Sequence, residues 1–121
     1  MREHSLTTKQ TTEDMKIVQE EIFGPVVTIS KFKNLGEAVA MANNSSYGLS
    51  AAVFTENLAK AHKVARRIQS GMIFLNSSGD PHWGVPFGGY KSSGIGRELG
   101  LEVLEAYTQK KSVHVNLGSK L

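Results

Sequence analysis

Apolar positions along the chain change their period several times, and each change marks an element. Val26-Val27-Thr28-Ile29-Ser30-Lys31-Phe32 is rich in β-branched residues and opens just after Pro25. A missing N–H is tolerated at a strand start, so a strand is predicted over 26–32. Asn34-Leu35-Gly36-Glu37 reads as a helix start, with Asn34 accepting from the third helical amide and Glu37 reaching back. Leu35, Ala38, Val39 and Ala42 then share one helical face. Asn43-Asn44-Ser45-Ser46 stops that helix, and Tyr47-Gly48 begins a turn. Ser50 to Phe54 is a short apolar strand. Thr55 or Asn57 can cap the next helix, whose stripe is Leu58, Ala61, Val64, Ala65 and Ile68. Lys60, Lys63, Arg66 and Arg67 lie mostly off that stripe and read as a solvent-facing surface. Gly71 suits the position past the helix end, and Met72 to Leu75 is a third strand.

A long loop follows Asn76, holding Ser77, Gly79, Pro81, Gly84 and Pro86. A helix is predicted from about Arg97 to Gln109, with Val103, Leu104 and Tyr107 on one side. Ser112 to Leu117 alternates Val113, Val115 and Leu117 against His114 and Asn116, a terminal strand with one apolar face that needs a sheet to join. Residues 1 to about 12 are polar and expected to fray. Strands alternating with helices predict an α/β layer with parallel strands. Helices can cover both faces only if more sheet exists than this chain provides, so the expected picture is a piece of a larger α/β domain.

The 121 residues suit one domain, and an apolar fraction of 40% is compatible with a core. The net charge of +3 is modest. Its basic residues are scattered and not interleaved with aromatics, which argues against nucleic acid as a partner. The chain holds no cysteine, which excludes a disulfide framework, a cysteine-ligated zinc and a thiol nucleophile. His4, His62, His82 and His114 are far apart on different elements, so no metal site is expected. No run approaches a membrane span, and the N-terminus lacks the apolar core of a secretory signal. The final Ser119-Lys120-Leu121 spells a peroxisomal address; without it a cytoplasmic location is the expectation.

Two blocks carry chemistry. Pro86 to Glu98 holds four glycines in thirteen residues together with Phe87, Lys91, Arg97 and Glu98. Such a segment fits a ligand or partner better than a plain connector. Gly94-Ile95-Gly96 is not a dinucleotide fingerprint, because position 99 is leucine and the segment follows a loop rather than a strand. Glu98, placed in a first helical turn, is either a cap stabilised by the helix dipole or a carboxylate carrying protons at the mouth of a site. The second block is Gln19-Glu20-Glu21-Ile22-Phe23-Gly24-Pro25. A carboxylate there can accept two hydrogen bonds from a ribose diol, and the adjacent aromatic can pack on a flat ring. A helix end with an exposed acidic pair and a core phenylalanine is the plainer alternative.

Together these blocks resemble the NAD(P)-dependent aldehyde dehydrogenase superfamily. The resemblance rests on Glu20 to Val26, Ala42-Asn43-Asn44, Tyr47-Gly48-Leu49, Ala52 to Thr55, Gly71 with Asn76, Pro86 to Glu98, and Ala106-Tyr107-Thr108 with Lys111. It runs from about Thr12 to Val115. It implies a C-terminal portion of such an enzyme, with 1–11 an unmatched polar lead, 12–110 part of the catalytic domain and 111–121 an oligomerisation strand and tail. By resemblance, Glu21 binds the nicotinamide ribose of NAD or NADP and Phe23 contacts the nicotinamide. The segment Ser77 to Val85, with Ser78, Gly79 and Pro81, lines the aldehyde tunnel, and Phe87 stands at its inner wall. Glu98 is a possible proton relay, and the terminal strand pairs with a second subunit in a homo-oligomer.

The same resemblance implies a cysteine nucleophile, a general-base glutamate and a nucleotide-binding fold upstream of these residues. The chain holds no catalytic residue of that kind, so it is expected to be inactive alone, as a truncated reading frame or a remnant would be. A non-catalytic piece that adds its terminal strand to a full-length relative is the alternative. The aldehyde is not legible, although Asp80, Pro81, His82 and Trp83 mark the loop as idiosyncratic.

Overall fold

A computed structural model describes residues 6–8 and 11–118. Its elements are β1 (Leu6–Thr8), α1 (Lys16–Gln19), β2 (Val26–Thr28), α2 (Leu35–Asn43), β3 (Ser50–Val53), α3 (Leu58–Ala65), β4 (Met72–Leu75), a 3₁₀ turn at Lys91–Ser93 and α4 (Val103–Tyr107). The Ser119-Lys120-Leu121 signal lies outside the described residues.

Both long helices begin where local chemistry places them. Asn34 accepts from the Glu37 amide at 3.0 Å, and the Glu37 carboxylate accepts from the Lys33 amide at 2.6 Å. The reciprocal cap thus closes one residue earlier than the usual box. Asn57, rather than Thr55, caps α3 by accepting from the Lys60 amide at 2.9 Å. Among the described residues, Val39 on α2 and Ala61 and Val64 on α3 are the buried apolar side chains. They belong to the two predicted stripes, and α3 packs on β3.

β3 and β4 pair in parallel, from Ser50 opposite Met72 to Val53 opposite Leu75, the strand–helix–strand unit that the alternation predicts. β1 and β2 form a second parallel pair, from Leu6 opposite Val26 to Thr8 opposite Thr28. A strand therefore lies inside the lead that was expected to fray. β2 covers 26–28 instead of 26–32, the three residues that pair with Leu6–Thr8.

Three further expectations change. Gly71 does not close α3, which ends at Ala65. It is glycine because a Cβ there would run into the Gly88 carbonyl. The last helix spans Val103–Tyr107 rather than 97–109, since Leu99 (φ 58°) and Gly100 (φ 60°) both take left-handed conformations that no helix can pass through. Residues 112–117 form no ladder with any described residue, and Val113, Val115 and Leu117 stand exposed.

Candidate functional site

Gly48 is the hub on which the glycine-rich block is mounted. Its carbonyl accepts from the Gly71 amide at 3.0 Å and from the Tyr90 amide at 2.8 Å. Its own N–H donates to the Ser93 hydroxyl at 2.9 Å. Lys91 completes the attachment: its Nζ donates to the Asn43 carbonyl at 2.7 Å and the Ser45 carbonyl at 2.8 Å. A cation there satisfies carbonyls that the end of α2 leaves open. Asn43 in turn donates to the Arg67 carbonyl and accepts from the Gln69 amide. The block is thus strapped to the α2–β3 junction and to the approach of β4.

Within the block, Phe87 and Glu98 form an antiparallel bridge. The Phe87 amide donates to the Glu98 carbonyl at 2.7 Å, and the Glu98 amide donates to the Phe87 carbonyl at 2.8 Å. The segment between them folds out as a loop, with Arg97 lying 5.7 Å over the Tyr90 ring. Glu98 is therefore not in a first helical turn, and the dipole argument for it does not apply. The bridge fixes its backbone while its carboxylate stays exposed.

Two hollows meet at Phe87. One, of about 480 Å³, is lined by Phe87, Arg97, Glu98 and Tyr107 among others. The second, of about 290 Å³, places Phe87 with Met72, Phe74, Pro81, His82 and Val85. Phe87 is thus a wall common to both, with the carboxylate on one side and the 80–85 loop on the other. Pro81 lines the second hollow with it. Ser78 and Gly79 do not line that hollow; Gly79 (φ 80°) shapes the turn that leads into it.

Glu21 stands in the extended segment after α1 and lines an open hollow of about 530 Å³ with Ser45, Tyr47, Ser92 and Ser93. Among the described residues nothing hydrogen-bonds its carboxylate. Phe23 is 94% exposed, which excludes the core role. A free carboxylate two residues from a bare ring fits a ribose diol and a flat heterocycle. The described residues show no glycine fingerprint for a pyrophosphate. Among the described residues no group of three acidic, histidine or cysteine side chains could hold a metal.

Sequence reasoning missed Lys91, Asn43 and Asn76 as structural residues. Asn76 accepts from the Thr55 amide at 2.8 Å and donates to the Thr55 carbonyl at 3.1 Å, tying together the ends of β3 and β4. A lone asparagine directly after a strand was the available signal, since asparagine tolerates the left-handed conformation it adopts (φ 57°).

The sequence model described as the aldehyde dehydrogenase family matches residues 5–113. That range reaches back past Thr12 into the lead containing β1. An aldehyde dehydrogenase of Alternaria alternata is 56% identical over 110 residues, which are 91% of this chain and 22% of that protein. Aldehyde dehydrogenase [NAD(P)+] 1 of Saccharomyces cerevisiae is 54% identical over 84% of this chain and 20% of its own length. An NAD+ complex of a Bacillus cereus aldehyde dehydrogenase superposes with a TM-score of 0.85 at 49% identity, covering 93% of this chain and 22% of the other. The chain spans about a fifth of such proteins. With the match extending over nearly all of its residues, the chain belongs to the aldehyde dehydrogenase family.

Proposed function

We propose that the chain is the part of an NAD(P)-dependent enzyme, oxidising an aldehyde to a carboxylic acid, that holds the nicotinamide ribose and walls the substrate tunnel. The observation that carries this reading is the Phe87–Glu98 bridge, which sets an apolar wall and a free carboxylate side by side on one hollow. The Glu21 carboxylate accepts hydrogen bonds from the ribose diol, and Phe23 packs against the ring. Phe87 keeps water from one side of the aldehyde. Glu98, beside it on the hollow it shares with Arg97 and Tyr107, exchanges protons with solvent. NAD(P), when bound, supplies the hydride acceptor. The nucleophile has to come from other residues, because the chain has no cysteine.

The test is a chimera in which residues 5–113 replace the matching segment of the Bacillus cereus enzyme. Thermal melting reports whether it folds, and NADH absorbance reports turnover. The reading expects aldehyde oxidation, with a raised cofactor KM in Glu21→Ala and a reduced kcat in Glu98→Gln. A folded chimera that oxidises no aldehyde would overturn it. The 121-residue chain alone is expected to be inactive.

A second reading rests on the exposed apolar edge of Val113, Val115 and Leu117. There the chain adds this segment to a full-length relative without catalysing anything, and co-purification with that relative is the check. In the first reading the same segment joins subunits of a homo-oligomer. A peroxisomal location is part of the proposal, on the strength of Ser119-Lys120-Leu121. A tagged chain whose distribution is unchanged on deleting Leu121 would remove it.

A further inference from the structure

The 80–85 loop carries a polar group that the oxidising reading does not use. The Gly84 amide donates to His82 Nδ1 at 3.0 Å. An accepting Nδ1 fixes the neutral ring as the tautomer with its proton on Nε2. His82 therefore presents an N–H donor and no acceptor on its free edge. The ring is held in place as well. The Trp83 indole stacks on it at 5.2 Å with planes 26° apart. The Val85 amide closes a turn onto the His82 carbonyl at 3.0 Å, and the Gly100 amide donates to the Trp83 carbonyl at 3.1 Å. Four contacts thus organise a short surface loop around one imidazole.

What His82 shares a hollow with gives that donor its meaning. Met72, Phe74, Val85 and Phe87 supply apolar walls, and Asp80 is the other polar side chain on the lining. An apolar cavity with a small number of placed polar groups fixes ligand orientation through those groups. A carboxylate such as Asp80 accepts only, and His82 Nε2 donates only. A hydroxyl could satisfy either residue, whereas an ether or carbonyl oxygen can answer His82 alone.

We propose that His82 is a specificity-determining residue: its Nε2–H selects aldehydes with an apolar chain and an oxygen acceptor distal to the aldehyde carbon. The proposal rests on the reading of this hollow as the substrate tunnel. One hydrogen bond from a neutral donor gives about a tenfold preference.

The chimera tests it with two isosteric substrates, 5-methoxypentanal and heptanal, which differ in one oxygen replacing one methylene. The 4-methoxybutanal and hexanal pair, and the 6-methoxyhexanal and octanal pair, scan the reach of the donor. The expected result is a kcat/KM ratio of about ten in favour of the ether for at least one pair, carried by KM. His82→Phe keeps the ring and its stacking but loses the donor, and should bring the ratio to about one. His82→Gln keeps an N–H donor and should retain most of the preference. An active chimera with no ether preference in any pair, or with one that survives His82→Phe, overturns the assignment of His82 and leaves the oxidising reading standing. A folded chimera inactive on every aldehyde overturns the oxidising reading, and this inference with it.

Discussion

Replacing Asn76 separates two effects that the structure superimposes. Its side chain makes two hydrogen bonds to Thr55, at 2.8 and 3.1 Å, while its backbone sits at φ 57°. The side chain is exposed, so the two bonds together are worth about 1–2 kcal/mol. Alanine loses both and also meets the left-handed penalty, about 1–2 kcal/mol for a residue with a Cβ. Glycine loses both but escapes that penalty, at a backbone-entropy cost of about 0.5–1 kcal/mol. Asn76→Ala should therefore destabilise by about 3 kcal/mol and Asn76→Gly by about 2 kcal/mol. Glycine is normally the worse of the two, so the inverted order is diagnostic. Hydrogen exchange in the folded chimera reads it locally. Opening of the Thr55–Asn76 junction should increase in both variants, by roughly fivefold more in alanine than in glycine. Because Asn76 starts the loop that leads to Pro81 and His82, aldehyde KM should rise along with exchange. Equal exchange in the two variants would refute the conformational argument. Unchanged exchange at Thr55 would refute the hydrogen bonds.

Gly71→Ala should destabilise by about 2 kcal/mol or more, because the new Cβ meets the Gly88 carbonyl and the block must shift; a neutral melting temperature would contradict that close approach. Lys91→Met removes two charge-assisted bonds at an exposed site and should cost about 1–2 kcal/mol, read as faster exchange over residues 41–46. Val115→Asp places a charge on the apolar edge of the terminal segment and should lower the oligomeric state of the chimera in size-exclusion chromatography; an unchanged elution volume would count against that edge as an interface.

What the sequence discloses about this fold is what local chemistry decides. The asparagine caps at 34 and 57 act on amides three residues away, so the starts of α2 and α3 were readable. Gly71 was misread because its requirement is tertiary: the Gly88 backbone that crosses it lies seventeen positions on. The helix expected from Arg97 fails at Leu99, a residue type that does not itself signal a left-handed backbone. Gly100 was a usable warning there, since a glycine inside a helical pattern lowers its standing. The site divides along the same line. Phe87 and Glu98 stood out in the sequence as chemistry-bearing groups, but their meeting on one hollow depends on the bridge between positions 87 and 98.

The exposed surface weighs differently on the two functional readings. The chain presents 10441 Å² to solvent, against about 6,400 Å² for a folded monomer of its size. The extended stretch after α4 accounts for part of the excess of about 4,000 Å². Helices, strands and the site contribute as well: among the described residues Phe23, Phe54, Trp83, Ile95 and Tyr107 all stand exposed, and Val39, Ala61 and Val64 are the buried apolar side chains. A standard protein–protein contact covers about 800 Å² on each partner, so the excess corresponds to several such contacts. Adding one strand to a relative would cover 112–117 and leave Phe23, Trp83 and Ile95 bare. Enclosure by the rest of an enzyme covers them together, and it closes the open sides of the hollows at Glu21, Phe87 and Glu98. The same bare surface that leaves this chain a small core therefore favours the enzyme-wall reading over strand addition.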